Sequence, residues 1–137
     1  MPYSYMNDAE VVRIIRDSIP EAIAVYRFGS SVGDATHAKS DVDLAVLAPR
    51  PLDPVRRFDL QAQLARALHR DVDLVDLHAA STVMRMQVIS RGIALAVFDS
   101  AERDFFETYT YADYARLNEE RKAILQQIER DGRVYGR

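Results

Sequence analysis

Along this chain, apolar positions recur first at helical spacing and then in short runs, and the two patterns alternate to the end. Asn7 followed by Glu10 has the form of a helix-capping pair, and Val11, Val12, Ile14, Ile15 and Ile19 repeat at helical spacing until Pro20 interrupts them. The pattern predicts a helix over residues 8–18. AIAVYRF, residues 22–28, is mostly apolar and closed by Gly29, which suits a buried strand; VDLAVL, residues 42–47, is a second, ended by Pro49 and Pro51. Asp53 and Pro54 suit the N-cap and first position of another helix, predicted to turn Phe58, Leu60, Leu64 and Leu68 inward and to end near His69. VDLVDL, residues 72–77, predicts a third strand, residues 81–91 a helix closed by Gly92, and IALAVF, residues 93–98, a fourth strand. From Ser100 to about Arg130 the chain predicts helix, with Tyr114, Leu117, Ile124, Leu125 and Ile128 as an apolar stripe and TYTY, residues 108–111, as a place for a break. That stripe either folds back over the sheet, the commoner fate, or projects for a partner protein to bury. With no repeat, low-complexity tract or long linker, the alternation implies a single α/β sheet domain.

Composition narrows the function. A chain of 137 residues that is 48% hydrophobic can bury one core. Its formal charge is −3 and its basic residues are scattered, so no basic stripe exists for a nucleic-acid backbone, while a small nucleotide remains compatible. The absence of cysteine excludes disulfides and thiolate metal sites and fits a reducing compartment. The segment MPYSYMNDAEVV lacks the basic-then-apolar pattern of a leader, and no apolar run approaches membrane-spanning length, so the expected location is the cytoplasm, away from any membrane.

The polar exceptions carry the chemistry. Gly29 and Ser30 follow a strand directly, where backbone N–H groups and a hydroxyl can converge on a phosphate. Asp41 and Asp43 stand two apart at the mouth of the next strand and so project from the same side of its pleat. Two carboxylates on one face repel each other and are costly to desolvate, which makes sense when a cation lies between them. Magnesium prefers oxygen ligands and recruits substrate phosphates, and a third carboxylate would complete a two-metal site. Asp73 and Asp76 lie on opposite faces of their strand, so one at most belongs; Asp73, nearer the strand's start, is preferred, and Asp71 falls in the preceding turn. The corresponding chemistry is nucleotidyl transfer, by in-line attack on an α-phosphate with pyrophosphate leaving. His37, His69 and His78 are not spaced as metal ligands and are expected at the surface, His37 and Lys39 being minor candidates for phosphate contact within the motif loop. Arg85, Gln87 and Arg91 are expected as solvated helix residues, with a nucleotide contact a lesser alternative, and Tyr109, Tyr111 and Tyr114 as core or interface anchors.

Gly29-Ser30, ten intervening residues and Asp41-Val42-Asp43 together resemble the signature of the minimal nucleotidyltransferases of the polymerase-β-like superfamily. SDVDLAVL, the later VDLVDL and the closing strand–helix segment are similar to the MNT-domain antitoxins paired with HEPN ribonuclease toxins, over roughly residues 8–98. The resemblance implies a minimal nucleotidyltransferase fold with its core at about 8–98, a mixed sheet of about four strands flanked by helices; with the C-terminal helical segment that periodicity predicts over about 100–131, one domain over residues 1–137 is expected. The resemblance also implies transfer of AMP from ATP to a tyrosine beside the toxin's ribonuclease site. Gly29 and Ser30 would hold the triphosphate, and Asp41, Asp43 and Asp73 would bind magnesium and serve catalysis, with Asp73 activating the tyrosine hydroxyl. Asp71 departs from the pattern by adding negative charge. A chain this short lacks a second domain to cradle a bulky substrate, which favours a protein acceptor. The alternatives are a small hydroxylated acceptor such as an aminoglycoside, and a non-catalytic antitoxin that acts by occlusion.

Overall fold

A computed structural model of the chain describes residues 7–29 and 41–135, with side chains followed to residue 132. The helices begin where the capping signals lie. α1 (Asp8–Ser18) starts at Asn7, whose side chain accepts from the Glu10 N–H at 3.1 Å. α2 (Pro54–Leu68) starts at Asp53, which accepts from the Arg56 N–H at 3.1 Å, and ends at His69 in the left-handed conformation (φ 55°). α3 (Thr82–Arg91) starts at Ser81, which accepts from the Met84 N–H at 3.1 Å. A cap of this kind contributes about 1 kcal/mol.

β1 (Ala24–Phe28), β2 (Val42–Leu47), β3 (Val72–Asp76) and β4 (Ile93–Val97) form one mixed sheet in the order β3-β2-β1-β4. β1 runs antiparallel to β2 and β4, whereas β2 and β3 are parallel. β2 has its predicted bounds, whereas β1, β3 and β4 are slightly shorter than the apolar runs that predict them, although Ile23, Leu77 and Phe98 still bond to neighbouring sheet backbone through their N–H or C=O groups. Strand alternation divides the core between two faces. On one, Val25, Val42, Leu44, Val46, Val72 and Leu74 pack with α1 and α2 through residues such as Ile15, Leu60 and Leu64. On the other, Tyr26, Phe28, Ala45 and Leu47 pack with Val88 of α3 and Phe106 of the last helix.

That helix, α4 (Ser100–Tyr135), is continuous through residues 108–111. The β-branched and aromatic residues there lose only a few tenths of a kcal/mol each in helix propensity, and Thr110 is buried. Three side-chain contacts fix its first half. The Tyr26 hydroxyl donates to Glu107 at 2.8 Å, and its pKa is held well above the usual tyrosine value, first by burial and then by that carboxylate. Thr82 donates to Asp113 at 2.6 Å, and Arg85 lies over the Phe106 ring.

Phe58, expected inside, is 59% exposed. Leu60, Leu64 and Leu68 stand four apart on one helix face, and a residue two positions before Leu60 points nearly the opposite way. Tyr109 and Tyr111 are likewise exposed, and only Tyr114 is half-buried. α4 follows both fates of its stripe in turn: up to Leu117 it covers the sheet face, whereas Ile124, Leu125 and Ile128 lie in solvent.

The end of β3 is tied to the chain after β2 by Asp76. This carboxylate is 7% exposed and accepts from the Leu52 N–H at 2.7 Å and the His78 N–H at 3.0 Å. Asp76→Ala would leave two amide donors without that acceptor, and a loss of about 2–3 kcal/mol is expected in urea unfolding.

Candidate active site

The parallel register of β2 and β3 sets Asp43 directly beside Asp73. Both belong to the sheet face covered by α3 and α4, because Val42 and Leu44 of β2 and Val72 and Leu74 of β3 point into the α1–α2 core. They stand at the first turns of pleat of their strands, beyond the main body of the core; Asp43 is half-buried and Asp73 exposed. Asp41 is exposed one residue ahead of β2. Burial, then Asp73, then Asp41 raise the Asp43 carboxyl above its ordinary pKa, so the three groups share one electrostatic environment.

β1 closes the site from the other side. Phe28 is the register partner of Asp43, and Gly29 follows it with φ +81°, a conformation that favours glycine. A Cβ on Gly29 would lie 2.1 Å from Asp43 Oδ2, so the missing side chain gives the carboxylate its place. Ser30, His37 and Lys39 lie outside the described residues.

The structure separates the remaining candidates by what their side chains touch. Both oxygens of Asp76 accept backbone N–H groups at the far end of β3, opposite Val46. The Asp71 carbonyl accepts the Val42 N–H at 2.9 Å in the turn before β3. Arg85 donates to the Leu77 and His78 carbonyls at 2.8 and 2.6 Å and so closes the β3–α3 turn. Gln87 and Arg91 are exposed and, with Val83, Met86, Ser90 and Tyr114, line a cavity of about 400 Å³ beside α3. His69 and His78 are at the surface. Arg27, two residues before Gly29, shares the sheet face of Val25 and stands 3.5 Å from Asp8 of α1, on the opposite side of the sheet from the acidic pair.

Among the described residues, no three acidic or imidazole side chains form a ready-made metal cage. Asp41, Asp43 and Asp73 instead form an open, all-oxygen set, the donor chemistry suited to magnesium, which keeps waters and takes substrate phosphates as further ligands.

The chain belongs to the polymerase beta nucleotidyltransferase family, whose model matches residues 10–101. It is 39% identical over 123 residues to the protein adenylyltransferase MntA of Shewanella oneidensis, across 90% of this chain and 88% of that protein. It is also similar to the MNT antitoxin solved in complex with a tri-AMPylated Shewanella oneidensis HEPN toxin (TM-score 0.75, 38% identity, 89% of this chain and 95% of that one). A toxin–antitoxin crystal structure with AMP-PNP matches with TM-score 0.80 and 39% identity over 90% of this chain and 99% of that one.

The raised Asp43 pKa has a consequence for stability. A carboxyl whose pKa is higher folded than unfolded holds more protons in the folded state between the two values, so stability falls as pH rises through that window. At pH 7 the metal-free protein therefore carries the whole penalty of the Asp43 charge. Asp43→Asn is expected to raise the Tm at pH 7 without divalent cations, and the advantage should vanish once pH drops below the ordinary value of 3.8, as followed by thermal melts at several pH values.

Proposed function

We propose that this chain is a magnesium-dependent antitoxin that transfers AMP from ATP to a tyrosine of a cognate HEPN ribonuclease toxin in the cytoplasm, acting as one nucleotidyltransferase domain over residues 1–137. The observation that carries this conclusion is the parallel register that sets Asp43 beside Asp73, with Gly29 giving way beneath the Asp43 carboxylate. The relatives described as a protein adenylyltransferase, as the partner of an AMPylated HEPN toxin and as a complex with AMP-PNP support the choice of nucleotide and acceptor.

Asp41, Asp43 and Asp73 would hold magnesium, which supplies charge neutralisation at the phosphates and a lowered pKa at a bound hydroxyl. The Gly29 turn would bring backbone N–H groups to the β- and γ-phosphates, with Ser30 as a further phosphate contact. The acceptor tyrosine oxygen attacks the α-phosphorus, the bond from that phosphorus to the α–β bridging oxygen breaks, and pyrophosphate departs opposite the incoming oxygen. Asp73, the more exposed of the facing pair, is placed to receive the phenolic proton. The remaining work is positioning.

Intact mass of the HEPN protein purified with this chain tests the proposal. Wild type should leave an AMP-sized increment on the HEPN protein, and chelation of divalent cations should stop its appearance in a reconstituted reaction. Asp43→Ala is expected to lower the transfer rate about a thousandfold, the scale of a lost catalytic metal ligand. An unmodified HEPN protein whose ribonuclease is nevertheless silenced would exclude transfer and establish occlusion. Gly29→Ala should fold, yet slow transfer about a hundredfold by displacing the Asp43 carboxylate, a cost typical of ångström-scale misplacement; single-turnover kinetics measure it.

A further inference from the structure

One face of α4 runs unbroken from the core into solvent. Phe106, Thr110, Asp113 and Leu117 stand four, three and four residues apart and share that face. Phe106 packs against the sheet, Thr110 is 1% exposed, Asp113 accepts from Thr82, and Leu117 is half-buried. The same spacing continues to Arg121, Ile124 and Ile128, with Leu125 at the flank. From Asn118 to Gly132 every position is exposed, and Ile124, Leu125 and Ile128 are 59%, 60% and 60% accessible. The face that holds α4 to its own domain thus extends past the last surface the described chain offers it.

We infer that this outer strip is the docking surface for the acceptor protein, which lays the aliphatic face of one of its own helices against Ile124, Leu125 and Ile128; this rests on the conclusion that the acceptor is a protein. The size of the strip selects the occupant. Three aliphatic side chains this exposed offer roughly 300 Å² of apolar surface, far below the roughly 800 Å² per partner of a stable interface. Such a strip is too small to hold a second copy of the chain by itself. It is sufficient as a second anchor for a partner already engaged at the Asp43–Asp73 edge, because a tethered second contact gains through effective concentration. The active edge gains from such help, because a single tyrosine entering it makes few contacts of its own. Next to the strip, Glu119, Glu120, Lys122, Arg130 and Asp131 supply charges of both signs, the composition of a polar rim around an apolar interface centre. Part of α4 is shared with a solved relative: only 99 residues of 137 precede it, so the match that covers 90% of this chain extends into it.

The test compares wild type with the Ile124→Glu/Ile128→Glu double variant and the conservative Ile124→Leu/Ile128→Leu variant, using the cognate HEPN protein proposed above. These positions are solvent-exposed, and ATP affinity by calorimetry reports an intact active site in each. The Glu variant should keep wild-type ATP affinity and kcat but raise KM for the HEPN protein at least tenfold, whereas the Leu variant should match wild type. An unchanged KM in the Glu variant would overturn the inference. A wild-type chain that is dimeric alone by light scattering, and becomes monomeric in the Glu variant with KM unchanged, would assign the strip to a second copy and also overturn it. Loss of HEPN binding in the Glu variant when no form transfers AMP would uphold the docking surface while removing the transferase.

Discussion

Like charges on adjacent strands are the constraint around which this molecule is arranged. Asp43 and Asp73 face each other because β2 and β3 pair in parallel with one register, and a slip of either strand by one residue would turn its carboxylate into the α1–α2 core. What forbids the slip is the opposite side of the same strands. Val42, Leu44, Val46, Val72 and Leu74 are all under 9% exposed against α1 and α2, and reversing the pleat would bring them out while sending Asp43 and Asp73 in. The position of the acidic pair is therefore fixed by hydrophobic burial that it does not share. Gly29 completes the arrangement from β1, since only a residue without a side chain lets that strand end so close to Asp43.

The two faces of the sheet have correspondingly different duties. The α1–α2 face is closed along its length and supplies stability. The other is covered by α3 and the first half of α4, and among the described residues Asp73 is exposed and Asp43 half-buried at its strand mouths. Carboxylates elsewhere in the fold are matched to donors: Asp53 and Asp99 cap helices, Asp76 takes two backbone N–H groups, and Asp113 is held below the ordinary carboxylate range first by Thr82 and then by Arg116. The Asp43 carboxyl moves in the opposite direction under burial and two further carboxylates. That contrast marks the acidic edge as a place where the chain sacrifices local stability, which is the usual signature of a functional site.

How much of this could be read beforehand depended on how local each signal is. Asn7 with Glu10, Asp53 with Pro54, and Gly92 act within a few residues, and the helices they delimit begin and end there. VDLAVL was legible because its alternation assigns each residue a face without knowledge of the rest of the fold. Phe58 was misplaced because hydrophobicity was allowed to outweigh its phase on the helix. The pairing of Asp43 with Asp73 needed more than alternation: pleat direction removes Asp76 from that face, but strand adjacency and register arise from tertiary packing. The fate of α4 was the least legible, because a stripe of Leu117, Ile124, Leu125 and Ile128 looks alike whether its neighbour belongs to the same chain or another.

The cost of the acidic edge also bears on the choice between catalysis and simple occlusion. A protein that silenced a toxin by contact alone would gain stability by exchanging Asp43 for a neutral residue, since burial and two neighbouring carboxylates already oppose its charge. Contact surface is better supplied by the outer half of α4, whose exposed aliphatic residues impose no electrostatic penalty. The chain possesses both features, at different places and on different elements. A binder would have use for the helix and none for the carboxylates, and an enzyme on a small acceptor would have use for the carboxylates and none for the projecting helix. Only a transferase whose acceptor is another macromolecule has use for both.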